Sequence, residues 1–307
     1  MRAITYAQYG SADVLELTEQ PDPHPGADVV VVRVKAASVN PVDWKVREGY
    51  LDGLLDTQFP VVPGWDVAGV VEQVGLDTPE YSVGDEVYGY VRKDWVHGGT
   101  FAEKVAAPVR TLAPKPSTLS FEEAAAVPLT GLTALQSIRR AGVASGQTVL
   151  VHAAAGGVGS FAVQIAKARG ARVIGTASEG NHDFLRSLGA EPVTYGDGLA
   201  DRVRALAPEG VDVALDYVGG DAVAVSADVL APGGTISSIA DPAARDEHGG
   251  QYVWVRPSTE DLAELGALID EGTVGVEVAE VYDLADAAAA HRASETGHVR
   301  GKIVVKV

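Results

Sequence analysis

The chain contains no cysteine, which removes disulfides, thiolate zinc sites and a cysteine nucleophile together. Basic residues are scarce: 24 lysines and arginines stand against 42 acidic residues, a formal charge of −18. Such a surface repels nucleic acid and anionic membranes, so neither is expected as a partner. Long apolar runs are missing as well. The most apolar stretch, 149–166, is broken by His152, Gln164 and three glycines, so no membrane span is expected. The segment Met1-Arg-Ala-Ile-Thr-Tyr6 has no apolar core and does not read as a signal peptide, which makes the cytoplasm the expected compartment. The seven histidines are scattered, with no His-Glu-x-x-His pair to suggest a metal site. What remains is ordinary globular composition, 46% apolar and 21% charged. At 307 residues the chain exceeds one core, and two domains are expected.

The first hundred residues read as β-rich. Val29–Val34 and Val67–Val74 are β-branched runs, and glycines at 64, 69, 75, 84, 89, 98 and 99 suit short strands and turns of a barrel. A short helix is expected over 41–48, with Asn40 as N-cap, Pro41 at N1 and Asp43 at N3. The texture changes near residue 117. Ser120-Phe-Glu-Glu123 forms a capping box, and Pro128 should kink or split the Ala-rich helix that it opens. Beyond it strands alternate with helices. Strands are expected at Thr148–His152, Arg172–Ala177, Pro192–Tyr195, Val211–Tyr217, Thr235–Ala240 and Tyr252–Val255, with helices at 157–169, 181–188, 199–206, 221–230 and 259–271. That is the rhythm of a doubly wound parallel sheet. The tail Lys302–Val307 reads as a strand returning to the first domain.

One motif carries chemistry. Thr148-Val-Leu-Val-His152 runs into Ala-Ala-Ala-Gly-Gly-Val-Gly159 and out into an amphipathic helix. Glycine at 156 lets backbone approach a pyrophosphate, glycine at 159 lets helix and strand pack closely, and the helix N-terminus offers free N–H groups. Ala154 stands where the first glycine of the full fingerprint would be, so a tight connection without ligand is the competing reading. The second strand ends at Ala177-Ser178, where an NAD-binding protein usually places an acid for the ribose 2′-hydroxyl. Ser178 favours a 2′-phosphate, hence NADPH over NADH. Glu179 beside it argues the other way.

The motifs together resemble the medium-chain dehydrogenase/reductase superfamily, in its zinc-free quinone oxidoreductase (zeta-crystallin-like) branch. The resemblance spans essentially the whole chain. It rests on Val34-Lys-Ala-Ala-Ser-Val-Asn40-Pro-Val-Asp43, Val62-Pro-Gly-Trp-Asp-Val-Ala-Gly69, Val83-Gly-Asp-Glu-Val87, Gly98-Gly-Thr-Phe-Ala-Glu103 and Ala124–Ala134, and continues in the glycine turn, Asp216-Tyr-Val-Gly-Gly220 and Gly297-His-Val-Arg-Gly-Lys302. It implies an α/β protein: a GroES-like β-barrel domain (1–117 and 275–307) plus a Rossmann doubly wound domain (118–274), with the active site in the cleft between them. Zinc-dependent relatives hold a metal with Cys and Gly-His-Glu. Here Asn40 and Gly64-Trp65-Asp66 stand at those positions, so no zinc is expected. Without a Lewis acid, the implied acceptor is a quinone or an α,β-unsaturated carbonyl, which spreads arriving negative charge onto its own oxygen.

The resemblance also assigns residues. Asn40, Lys45 and Tyr50 stand at catalytic or substrate-facing positions, although Asn40 as N-cap and Lys45 as a solvated surface lysine are equally simple readings. Trp65 packs or stacks where the metal would sit. Thr130 matches a nicotinamide-ribose contact, with helix capping as the alternative. The turn residues Ala155, Gly156, Gly157 and Val158 face the pyrophosphate, and Ser178, Asn181 and Tyr195 line the adenine-ribose pocket. Close relatives carry Arg or Lys before Asn181, where this chain has Gly180. Val218 and Ala240 end strands where backbone meets nicotinamide. Arg300 and Lys302 face phosphate or the cleft, or are surface charge. Relatives pair through an edge strand, and Tyr252–Val255 is a plausible edge, so a homodimer is expected around a small-molecule substrate. Two other readings stay open: a nucleotide-binding structural or regulatory protein with little catalysis, and an enoyl reductase dedicated to one pathway.

Overall fold

The computed structural model describes residues 1–307. Two compact units make up the chain, Met1–Leu132 with Arg256–Asp270 and Val276–Val307, and Thr133–Val255 with Glu271–Gly275.

The first unit opens with an antiparallel hairpin, β1 (Arg2–Thr5) and β2 (Glu16–Glu19). Its backbone is β3 (Val29–Val39), followed by α1 (Pro41–Arg47), β4 (Asp56–Val62), β5 (Asp66–Gln73), β6 (Glu86–Tyr90), β7 (Trp95–Gly98), β8 (Lys104–Pro108) and β9 (Leu112–Pro114). The β-branched run Val29–Val34 opens this strand, which continues to Val39. The extension has partners on both sides, because Ala36–Ser38 pair with β5 while Ala36–Val39 pair with the C-terminal strand. Val30, Val32, Val34, Val67, Val71, Val87, Val105 and Leu112 form its core, as period-2 alternation places every second side chain inward. Then come α2 (Phe121–Ala125) and α3 (Pro128–Arg140), split at Pro128 as the sequence predicts, with Ser120 and Glu123 completing the capping box.

In the second unit β10 (Thr148–Val151), α4 (Gly157–Ala168), β11 (Arg172–Ala177), α5 (His182–Ser187), β12 (Glu191–Thr194), α6 (Leu199–Leu206), β13 (Val211–Asp216), α7 (Asp221–Val229), β14 (Leu230–Ser238), α8 (Ala243–Asp246) and β15 (Gln251–Tyr252) follow one another. Their six strands are all parallel, in the order β12-β11-β10-β13-β14-β15. The order reverses beside β10, and that reversal is where doubly wound sheets bind their ligands. The edge strand is shorter than expected. It stops at Tyr252 because β14 ends at Ser238, so Val253 finds the last ladder acceptor and residues 254–255 find none.

The chain then returns to the first unit through α9 (Thr259–Asp270), β16 (Val278–Asp283), α10 (Ala287–Glu295) and β17 (Lys302–Lys306). Strand β17 pairs Ile303 with Val39, closing the seven-stranded sheet as its tail pattern predicts. No helix is long and apolar enough to cross a membrane.

Candidate active site and dinucleotide cradle

The glycine turn hangs between β10 and α4. Ala153 enters it at φ 51°, in the left-handed region that a residue with a Cβ adopts at a cost of about 1–2 kcal/mol. Two bonds to β11 hold it there: Ala153 N–H donates to Thr176 Oγ1 (3.1 Å) and Ala154 N–H to the Thr176 carbonyl (3.0 Å). A Cβ on Gly159 would lie 2.2 Å from the Ala153 carbonyl oxygen, so only glycine allows α4 to start this close to the strand. No side chain caps the helix at Gly156. The N–H groups of Gly157, Val158 and Gly159 therefore have no acceptor within the helix, and they fit the pyrophosphate of a dinucleotide. Ala155 is buried, while Gly156, Gly157 and Val158 are half-buried at the mouth of the turn.

Next to the turn, Ala177 pairs with Thr194, so Ser178 and Tyr195 leave adjacent strand ends. Asn181 Nδ2 donates to Ser178 Oγ (3.2 Å), and Tyr195 is exposed. These three are brought together at one end of the sheet. Val218 and Ala240 are exposed at the ends of β13 and β14. What holds them was not read from the sequence. Buried Asp216 accepts from the Val218 and Gly219 N–H groups through Oδ1 (3.0 and 2.9 Å) and from Ser238 Oγ through Oδ2 (2.6 Å). Ser238 Oγ in turn accepts from the Ala240 and Asp241 N–H groups (3.1 and 2.9 Å). One carboxylate–hydroxyl bridge thus fixes both strand-end loops. The signal was present in Asp216-Tyr-Val-Gly-Gly220, an acid just ahead of a glycine pair at a strand end.

Under the same sheet end lies buried His152, whose Nε2 meets Ser226 Oγ at 2.9 Å. Ser226 spends its own proton on the Ala222 carbonyl (2.7 Å), so the imidazole is the donor. Burial pushes its pKa down to about 4, and His291 in the first unit down to about 3. A base with a depressed folded pKa stabilises the fold above its unfolded value near 6.5, and that stability is lost as pH falls toward the folded value. Each such histidine should cost about 2 kcal/mol between pH 7 and 5. Denaturant melts at both pH values would show the drop, and His152→Gln should remove roughly half of the histidine-linked part. An unchanged pH slope in that variant would count against the neutral buried imidazole.

In the first unit, the positions expected to replace metal ligands form a closed polar cluster. Asp66 Oδ2 accepts from Ser38 Oγ and Asn40 Nδ2, both at 2.8 Å, and Oδ1 from the Leu129 N–H at 2.8 Å. The Lys302 ammonium lies 4.0 Å from Asp66 and donates to Asn40 Oδ1 and to the Val39 carbonyl (3.0 Å). Asn40, Asp66 and Lys302 are all buried. Burial pushes the Asp66 carboxyl up and the Lys302 ammonium down, each countered by the other's charge. Asp43, also buried, accepts from the Asn40 N–H (2.7 Å), and burial raises its pKa to about 7. This donor set does not fit zinc. It has no thiolate or imidazole, both Asp66 oxygens are occupied, and an ammonium already supplies the positive charge.

Lys302 is buried, its ammonium donating inside this cluster. Asn40 holds its N-cap position on α1 with its amide turned inward. Lys45 is exposed with its ammonium 5.6 Å from the Trp44 ring centre, and exposed Tyr50 meets Trp44 edge-on at 6.1 Å. Trp65 packs edge-on against Tyr90 at 6.1 Å. Thr130 is buried, its hydroxyl donating to the Ala126 carbonyl (3.0 Å). Arg300 is exposed and paired with Glu277 (3.0 Å).

Comparisons with known proteins agree with this geometry. Residues 26–117 match the alcohol dehydrogenase GroES-like domain family, and residues 188–305 the zinc-binding dehydrogenase family. A 2-methylene-furan-3-one reductase of Solanum lycopersicum is 36% identical over 99% of this chain and 79% of its own length. The NADPH-dependent alkenal/one oxidoreductase of Arabidopsis thaliana chloroplasts is 36% identical over the same shares. The structure of a quinone oxidoreductase from Coxiella burnetii superposes with a TM-score of 0.89 at 37% identity, covering 100% of this chain and 99% of that one. A GroES-like unit and a parallel-sheet unit with a glycine cradle, matched by these relatives over 99–100% of this chain, place the chain in the medium-chain dehydrogenase/reductase superfamily, in its quinone oxidoreductase branch.

Proposed function

We propose that the chain is an NADPH-dependent, zinc-independent reductase of quinones and α,β-unsaturated carbonyls, working as a cytoplasmic homodimer. The observation that carries the zinc-free part is the buried Asn40–Asp66–Lys302 cluster, which supplies a fixed positive charge where a metal would need open ligands. The turn at Ala155–Val158 takes the pyrophosphate, Ser178, Asn181 and Tyr195 the adenine ribose, and the backbone of Val218 and Ala240 the nicotinamide. In this reading Thr130 contacts the nicotinamide ribose, and Asn40 is the active-site amide near the nicotinamide. Lys45 and Tyr50 offer donors to its oxygen, and Arg300 contributes surface charge. NADPH held by these residues would supply a hydride, and a conjugated acceptor would take the electron pair onto its own carbonyl oxygen, with the balancing proton from solvent.

Loss of reduced-nicotinamide absorbance with a panel of quinones, enones and saturated ketones tests the reading. Turnover is expected with the conjugated acceptors alone, unchanged by a metal chelator. Turnover of saturated ketones that a chelator abolishes would overturn it. A fluorescence titration should show NADPH binding more tightly than NADH, and the reverse order would refute the role given to Ser178.

A further inference from the structure

The two fully buried basic side chains of this acidic chain face carboxylates: Arg47 reaches Glu48 and Glu295 (2.8 and 2.9 Å), and Lys302 faces Asp66. Arg92 and Lys93 have no such partner, and Arg92 keeps a buried donor unsatisfied. They leave β6 as neighbours, half-buried, and neither has a carboxylate within ion-pair distance. The guanidinium of Arg92 sits over the Tyr90 ring, 5.9 Å from its centre, and its Nε is buried with no hydrogen-bond partner. Lys93 Nζ has only the Gly98 carbonyl, at 2.9 Å. Burial also holds the Lys93 ammonium below its ordinary pKa.

A contact with a ring face returns about 0.5–1 kcal/mol at a partly exposed site, whereas an unpartnered buried donor on a charged group costs more. Structural packing alone therefore leaves this pair unexplained. Its surroundings say what would satisfy it. Tyr90 pairs with Asp66 across β5 and β6 and carries Trp65 on its edge, so Arg92 follows by two residues the strand partner of the cluster's carboxylate. A planar guanidinium held on an aromatic face keeps its N–H edge for bidentate recognition of a carboxylate.

We propose that Arg92, with Lys93 beside it, binds a carboxylate carried by the acceptor, so that the preferred substrates are conjugated carbonyl compounds bearing an acid group. The assignment rests on the reductase reading above and narrows its substrate class.

The test uses 4-oxopent-2-enoate and its methyl ester with the whole enzyme and NADPH. The acid should give a kcat/KM at least about 10-fold above the ester. Arg92→Gln should raise the KM for the acid about 10-fold or more and leave the ester's kinetics within about threefold, with Arg92→Lys between. Equal losses for acid and ester would assign Arg92 to oxyanion stabilisation or to structure, and no loss with either would remove it from the site; both overturn the proposal. If neither compound is reduced while simple quinones are, the carboxylate assignment fails and the reductase reading stands. If nothing is reduced, that reading fails, and calorimetric titration of the acid into wild type and Arg92→Gln still decides the carboxylate site: binding lost in the variant supports it, and no binding to wild type sinks it.

Discussion

Lys302→Met should be the most destabilising single change in the first unit, lowering unfolding free energy by about 3–5 kcal/mol. The reason is not the lost attraction alone. Asp66 is buried with both oxygens fixed by Ser38, Asn40 and Leu129, so removing the ammonium leaves a charge with donors but no counter-charge. The Asn40 carbonyl loses its partner at the same time. The deficit has a pH signature. Burial already raises the Asp66 carboxyl, and without Lys302 it rises further above the unfolded value. The folded variant then holds a proton that the unfolded chain has released, so its stability falls as pH rises from acid toward neutral. Denaturant melts should show a larger deficit at pH 8 than at pH 5, partly restored by adding Asp66→Asn. A deficit below about 1 kcal/mol, equal at both pH values, would mean that the ammonium is solvated and the cluster open.

The contrast between what could and could not be read from the sequence has a physical basis. The βαβ rhythm, the glycine turn and the split at Pro128 are local: each depends on periodicity or on the stereochemistry of a few adjacent residues. The Rossmann sheet was accordingly legible almost strand by strand. Strands β4 and β7 carry no such pattern, since their pairing joins Asp56 to Trp95 across two intervening strands. The same holds for the site. The resemblance pointed to Asn40 and Lys302 separately, but their contact joins residues 262 positions apart, and nothing near Lys302 marks it as buried. Asp216 and Ser238 were missed as a pair because a carboxylate and a serine on different strands become one support only after the sheet forms. Arg92 was missed because absence of a partner is a property of three dimensions.

Two glycines of the cradle should fail in different ways, and the difference separates packing from ligand contact. Gly159→Val places a Cβ 2.2 Å from the Ala153 carbonyl oxygen and 2.6 Å from the Ala154 Cα, both backbone atoms that cannot rotate aside. The turn must open, which moves the Gly157 and Val158 N–H groups off a common acceptor. NADPH affinity should fall by 100-fold or more, roughly the value of two or more charge-assisted hydrogen bonds, with a loss of stability even without cofactor. Gly156→Ala is milder for the fold. Its backbone is extended at φ −77°, and the nearest heavy atom to its Cβ would be the Ala153 carbonyl oxygen at 3.3 Å. Its methyl would instead meet the phosphate that glycine lets approach, so affinity should fall about 10-fold with the melting transition of the free protein nearly unchanged. Fluorescence titration with NADPH beside thermal melts of the free protein reads both effects. If Gly156→Ala bound NADPH as the parent does, the turn would be a tight strand–helix connection and the pyrophosphate would lie elsewhere.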